Sequence, residues 1–391
     1  MYEYIIATTF RGIVTVLTIT TLVQCTEDAN LFFLLTALSV IGSAFVAFSG
    51  SALITRLAYN RKVATAIFSL ITVWCGVLTI VAIFVASFVF NSEIVLKSGW
   101  YFFWKLLEML ADSLMLACGK RHKLTRMIIL NTAIIVLLNI IMIFGFINTT
   151  QDFLLVTAIT GTTLYSAIVF RSHFIFSKKS FFSLIRLSVR RYKHFVLPLS
   201  LTTIGAALMS QGDKLMLGIF AEPEFASTYG FTFVCCFYTY RFFTVAFLQY
   251  VEAQYFRYKS EENLIKYSNI GILVILFLNT IFYMIWSKTS LLDKIRISDD
   301  EKIVLPLLLA SVFAYLYNVN KIKIQERFQT HKIMYTQLSI GVIATTFITY
   351  LVVNQYFSMI PVVTLLGYVT CFLLTLIYHP LFPHLFSRNR Y

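Results

Sequence analysis

Apolar runs of about twenty residues recur from one end of the chain to the other, broken by short polar connections. Read by this pattern, helices fall at about 4–25, 31–55, 63–91, 98–118, 127–148, 153–176, 195–219, 226–251, 268–288, 303–320, 333–354 and 359–382. Each is long enough to cross a hydrocarbon layer about 30 Å thick. The expected fold is therefore all-α, a polytopic membrane protein with about twelve spans.

The connections alternate in charge. One set carries Arg56, Arg61 and Lys62; Lys120, Arg121, Lys123 and Arg126; and a long basic stretch with Arg171, Lys178, Lys179, Arg186, Arg190, Arg191 and Lys193. It continues with Arg257, Lys259 and Lys266; Lys321, Lys323, Arg327 and Lys332; and Arg388 and Arg390. The opposite set holds only Lys97, Lys288, Lys294, Arg296 and Lys302, beside acids such as Glu27, Asp28, Glu93, Asp152, Glu222 and Glu224. Basic residues stay on the cytoplasmic side of a membrane, so this alternation supports the span count and places both termini in the cytoplasm. No basic segment and no small-residue cleavage site follow Met1, so the first run is expected to be retained as a helix.

Composition agrees. The 391 residues are 59% hydrophobic, 16% aromatic and only 13% charged, against about 25% charged in a soluble domain. A net charge of +14 would suggest nucleic acid in a soluble protein, but here it resides in the loop clusters, and no nucleic-acid partner is expected. Cys25, Cys75, Cys118, Cys235, Cys236 and Cys371 lie in or beside apolar runs and read as small helix residues, with no metal or disulfide framework. No HExxH, GxSxG or Walker pattern is present, so an enzyme is not expected, nor a cofactor. Trp100, Trp104 and Trp286 fall near outer helix ends, where an interfacial belt accounts for them. Ser39, Gly42, Ser43 and Gly50 in the second run read as close helix packing.

Two halves are discernible. The acidic turn Thr26-Glu27-Asp28 and the later Tyr59-Asn60-Arg61-Lys62 have counterparts in Glu222-Pro223-Glu224 and Phe256-Arg257-Tyr258-Lys259; His122-Lys123 matches His331-Lys332. Six helices separate the copies, which makes a parallel repeat. The expected organisation is an N-terminal six-helix lobe at 1–176, a cytoplasmic basic amphipathic linker at 177–194 and a C-terminal six-helix lobe at 195–391, the two lobes surrounding a central cavity.

Once the loops are assigned, Arg11, Lys105, Lys214 and Arg241 remain inside spans, with the acids Glu108, Asp112 and Asp213 and, near an inner end, Glu252. A charge at the bilayer centre costs about 2.5–3.5 kcal/mol, so these side chains are expected to face protein or a wet cavity. Lys105, Glu108 and Asp112 lie within an arc of about 60° on the fourth helix, with Tyr101 on the same stripe. A Lys105–Glu108 pair that only fixes packing would leave Asp112 unexplained; a cavity wall accounts for all three. Asp213 and Lys214 are neighbours and point about 100° apart, so they are not expected to pair with each other.

The segment Pro198-Leu199-Ser200 through Gln211-Gly212-Asp213-Lys214-Leu215-Met216-Leu217-Gly218 to Tyr229-Gly230, with Phe10-Arg11-Gly12 and Ala117-Cys118-Gly119-Lys120, resembles O-antigen and polysaccharide flippases (Wzx type). These belong to the multidrug/oligosaccharidyl-lipid/polysaccharide (MOP, MATE-like) exporter superfamily. Lys214 stands where Arg is common in that group, and the two extra helices of the related lipid II flippases are absent. The resemblance implies a glycan on undecaprenyl diphosphate, flipped from the cytoplasmic to the periplasmic leaflet of the bacterial inner membrane. It further implies lipopolysaccharide or other polysaccharide biosynthesis as the setting, in association with the polysaccharide polymerase and chain-length machinery. Arg11, Lys105, Lys214 and Arg241 would then bind the diphosphate, and Glu108, Asp112 and Asp213 would couple transport to H⁺ or Na⁺ by alternating access. A MATE-like small-molecule exporter and an O-antigen polymerase are the competing expectations.

Overall fold

The computed structural model describes residues 2–26, 28–46, 54, 61–88, 92–118, 120–173, 178–243, 248, 261–288, 301–326 and 330–378; within these, some side chains, including those of 168–197 and 238–243, are not described. The described residues form twelve α-helices and no strand. They are α1 (Tyr2–Cys25), α2 (Ala29–Val46), α3 (Arg61–Ala86), α4 (Ser92–Ala117), α5 (Arg121–Ile143), α6 (Thr150–His173), α7 (Lys178–Phe220), α8 (Pro223–Phe243), α9 (Glu261–Lys288), α10 (Glu301–Glu326), α11 (Thr330–Val353) and α12 (Ile360–Tyr378). The all-helical, twelve-element reading of the sequence holds.

Among the described residues, six stretches are long and apolar enough to cross a membrane: Ile6–Cys25, His122–Ile143, Leu264–Ser287, Glu301–Ile322, His331–Val353 and Phe357–Ile377. The exposed surface of the helices is apolar, with Phe10, Ile13 and Leu17 on α1, Leu273, Phe277 and Met284 on α9, and Ile343, Phe347 and Tyr350 on α11. Such faces would aggregate in water and are what acyl chains require. On α1 the hydroxyls are satisfied inside the helix: Thr8, Thr15, Thr18, Thr20 and Thr21 each donate to the carbonyl four residues back, at 2.8–3.0 Å. With no water to bond, a hydroxyl in hydrocarbon needs that acceptor. The chain is a multi-pass membrane protein.

It divides into two compact units, Met1–Ile204 and Gly205–Tyr391. In the first, α4 packs on α6, α3 and α2, α1 lies on α5, and α5 touches α6. Leu106, Leu107, Leu110, Ala111 and Leu114 of α4 form the centre of its core. In the second, α10 packs on α12, α9 and α8, and α11 touches α12. There Val304, Leu307, Ala310 and Ala314 of α10 are fully buried. The pairing scheme of the first unit thus recurs six helices later, α10 taking the place of α4, as a parallel repeat requires.

The counterpart of the α1–α5 contact is α7 on α11, and it is made backbone to backbone. A Cβ on Gly341 would lie 2.6 Å from the Gly205 carbonyl oxygen, and one on Gly205 2.5 Å from the Gln337 carbonyl carbon. Gly341→Val should therefore lower stability by about 1–3 kcal/mol through overpacking. Thermal unfolding of the purified chain in detergent checks this; an unchanged midpoint would contradict it. In the first unit, Gly42 of α2 instead receives a side chain, the Phe102 ring of α4, and a Cβ there would fall 2.6 Å from that ring.

One boundary differs from the sequence reading. The basic segment at 178–194 is helical, but no break separates it from the seventh span: Lys178–Phe220 is one helix of 43 residues. At 1.5 Å per residue it is about 65 Å long, roughly twice the hydrocarbon thickness. Pro198 interrupts its hydrogen-bond ladder without ending it, and Thr202 donates to the Pro198 carbonyl at 2.8 Å.

Candidate functional site

The charged stripe of α4 meets a cation from α1. Arg11 Nη1 lies 3.4 Å from Glu108 Oε1 and 3.4 Å from Asp112 Oδ2. Lys105 Nζ lies 3.0 Å from Glu108 Oε2, and the Tyr165 hydroxyl of α6 donates to Asp112 Oδ1 at 3.4 Å. Helical spacing puts Lys105 three residues before Glu108 and Asp112 four after it, so both carboxylates reach the same guanidinium. Two cations and two carboxylates make the cluster formally neutral. It is sheltered but not sealed: the side chains are 26% (Arg11), 34% (Lys105), 12% (Glu108) and 20% (Asp112) exposed. Sequence reasoning placed the α4 stripe and Arg11 separately; the structure joins them and adds Tyr165.

Lys105 has a second anchor. Its ammonium sits 3.9 Å from the centre of the Trp104 ring and 5.8 Å from that of Tyr101. Such contacts hold a cation by the ring quadrupole. Trp104, read above as a belt residue, is instead buried, and the reason lies on another helix. Gly161 of α6 has no Cβ, and the Trp104 indole fills the space a Cβ would take. Trp100, by contrast, is exposed, in keeping with a belt position, whereas Trp286 packs against the core of the second unit.

The second unit carries a different charged pair. Lys214 Nζ lies 2.7 Å from Asp213 Oδ1, with only 4% and 1% of the two side chains exposed. This corrects the expectation that the neighbours do not pair. Their Cβ atoms do diverge, but the four-carbon stem of lysine folds back far enough to reach the carboxylate. A bent rotamer costs less than a buried charge without its counter-ion. Tyr229 of α8 donates to Asp213 Oδ2 at 2.8 Å, and the Lys214 ammonium lies 3.2 Å from the centre of the Phe233 ring. Neither Tyr229 nor Phe233 was singled out as a partner from the sequence. Both lie one helix away on α8, and only their four-residue spacing, which sets them on one face, hints at it. Arg241 falls on α8, but its side chain, like Glu252, lies outside the described residues.

A third polar group ties helix ends of the first unit together. Lys97 Nζ is 2.6 Å from Asp152 Oδ1, and Thr149 donates to Asp152 Oδ2 at 2.8 Å. Those two hydrogen bonds, Lys97's first, hold the Asp152 carboxyl below the usual carboxylate range. The Thr150 N–H donates to Asp28 Oδ1 at 3.0 Å, and the Thr26 and Thr150 hydroxyls lie 2.9 Å apart. Among the described residues, no group of His, Cys, Asp and Glu has metal-binding geometry.

The fold so assembled is that of known membrane transporters. Over 97% of this chain and 87% of the other, it matches the structure of the lipid II flippase MurJ in an inward closed conformation, with a TM-score of 0.71 at 11% identity. It matches a multidrug resistance MATE family transporter of the MOP superfamily in its inward-facing conformation over 99% of this chain and 96% of that one, with a TM-score of 0.62 at 12% identity. An outward-facing structure of a transporter so described matches over 96% and 94%, with a TM-score of 0.59 at 12% identity. At these identities the likeness is one of fold. No known family model matches the chain, and no curated protein does.

Proposed function

We propose that this protein is a flippase. In this reading it moves a glycan repeat unit on undecaprenyl diphosphate from the cytoplasmic to the periplasmic leaflet of a bacterial inner membrane, with both chain termini in the cytoplasm. The observation that carries it is the sheltered, partly exposed pair of cations, Arg11 and Lys105, on two helices of the first unit. A diphosphate passing a low-dielectric layer needs fixed positive charge on its route, and a guanidinium presents a planar fork of donors to it. Arg241 would serve the same substrate in the second unit, and Lys214 would do so only on leaving its closed pair with Asp213. Glu108, Asp112 and Asp213 are the acids through which H⁺ or Na⁺ would be coupled to alternating access. The likeness in fold to a lipid II flippase supports a lipid-linked substrate.

A MATE-like exporter of small molecules is the second reading, favoured by the several MATE structures of the same fold. The test is reconstitution of the full chain in liposomes with a fluorescent oligosaccharide on undecaprenyl diphosphate. The flippase reading expects leaflet exchange well above protein-free vesicles, with the monophosphate analogue exchanging more slowly. Export of a cationic dye without exchange of any diphosphate lipid would establish the second reading instead.

A further inference from the structure

The α4 carboxylates make contacts that a substrate would need. Arg11 uses one nitrogen, Nη1, for two carboxylate oxygens at 3.4 Å each, longer than the 2.7–2.9 Å of a strong charge-assisted bond. Lys105 gives its ammonium to the remaining oxygen of Glu108 at 3.0 Å. Both cations are thus engaged by internal anions, and the guanidinium is held loosely between two of them. The four charged side chains are each partly exposed, so an incoming anion can reach them. The charged and titratable groups around Arg11 are Tyr4 on α1, Lys105, Glu108 and Asp112 on α4, and Tyr165 on α6. Tyr165 has its hydroxyl on Asp112 Oδ1, the oxygen that Arg11 leaves free.

We infer that Glu108 and Asp112 act as a built-in stand-in for the substrate's diphosphate, which must displace them from Arg11 and Lys105 to bind. This rests on the flippase reading and gives its site a regulatory element. Empty, the carboxylates cancel the two cations and stop them from holding inorganic phosphate or anionic headgroups. A monophosphate presents one phosphoryl group, whereas a diphosphate presents two and can replace both carboxylates at once, one on each cation. Tyr165 is then a positioning residue, holding Asp112 in place whether or not Arg11 is engaged. On release, the carboxylates return to the cations and push the product away. Affinity is given up for selectivity and turnover, since an interaction made equally well before and after the crossing would only trap the lipid.

The experiment is binding of farnesyl diphosphate, with farnesyl monophosphate beside it, to the full purified chain in detergent, by calorimetry. Wild type, Arg11→Ala, Glu108→Gln and Asp112→Asn are compared, each checked for folding by thermal unfolding. Removing a competing carboxylate should tighten diphosphate binding about tenfold, the lower end of what one charged hydrogen bond contributes. It should also narrow the preference over monophosphate, because one stand-in anion is gone. Tighter binding by either folded variant supports the inference. Asp112→Asn decides it if Glu108→Gln does not fold, because Lys105 keeps Glu108 in that variant. If Arg11→Ala loses binding while both acid variants bind no tighter than wild type, the stand-in role is overturned and the cation site stands. If wild type and Arg11→Ala bind the diphosphate alike, the cation site itself fails, and the inference falls with it.

Discussion

Arg11→Ala is expected to cut lipid translocation about 100-fold, the scale of losing a charged hydrogen bond to a phosphate, while the chain still folds. The guanidinium is shared by Glu108 and Asp112, at 3.4 Å from each. Its removal has two consequences that must be told apart. Transport loses a phosphate-binding fork, and the first unit keeps an acid without its cation. Truncating one partner of a buried pair costs about 3–5 kcal/mol. Here the partners are 12–26% exposed, so the stability cost should be smaller, about 1–3 kcal/mol. Asp112→Asn added to Arg11→Ala should recover most of the lost thermal stability, since Lys105 still neutralises Glu108. It should recover none of the transport. Arg11→Lys should retain the stability and part of the activity, because an ammonium is a point charge without the planar fork. Full translocation by Arg11→Ala at normal protein levels would remove the site.

What the sequence discloses about this site follows the range of each interaction. The spans are legible because a bilayer imposes a length, and the chain meets it with runs of Leu, Ile and Phe. The α4 stripe is legible because 100° per residue brings Lys105, Glu108 and Asp112 to one face without reference to any other helix. That Arg11 would meet them is not, since it depends on how α1 sits beside α4 and on the reach of a long side chain. Tyr165 is hidden for the same reason, and being neutral it raises no alarm in an apolar helix. Trp104 misleads because a tryptophan near a span end reads as interfacial; the slot that buries it is opened by the missing Cβ of Gly161, two helices on. The internal repeat left only weak traces in loop residues, yet the helix pairings reproduce it from α2, α3, α4 and α6 to α8, α9, α10 and α12. Packing geometry constrains backbone positions more tightly than it constrains side-chain identity.

The pair in the second unit should behave oppositely to the Arg11 cluster, because it is closed off. Lys214→Met is expected to destabilise the protein by about 3–5 kcal/mol, leaving the Asp213 carboxylate buried without its cation. Among the described residues, Asp213 would keep the Tyr229 hydroxyl at 2.8 Å and the backbone N–H of position 214 at 2.8 Å. Asp213→Asn should cost less, because the ammonium keeps the face of Phe233 at 3.2 Å, and a desolvated cation–ring contact is worth about 2 kcal/mol. The double variant Asp213→Asn/Lys214→Met removes both charges, keeps an acceptor for Tyr229 and should return to within about 1 kcal/mol of wild type. Thermal unfolding of the four proteins in detergent gives the cycle, and additive losses would show that the two charges do not neutralise each other. Translocation by the double variant then separates two roles. If the pair only keeps a buried lysine neutralised within α7 and α8, restored stability restores transport. If Asp213 takes up and releases the coupling ion, the double variant is stable and inactive, and its residual exchange no longer responds to an imposed ion gradient.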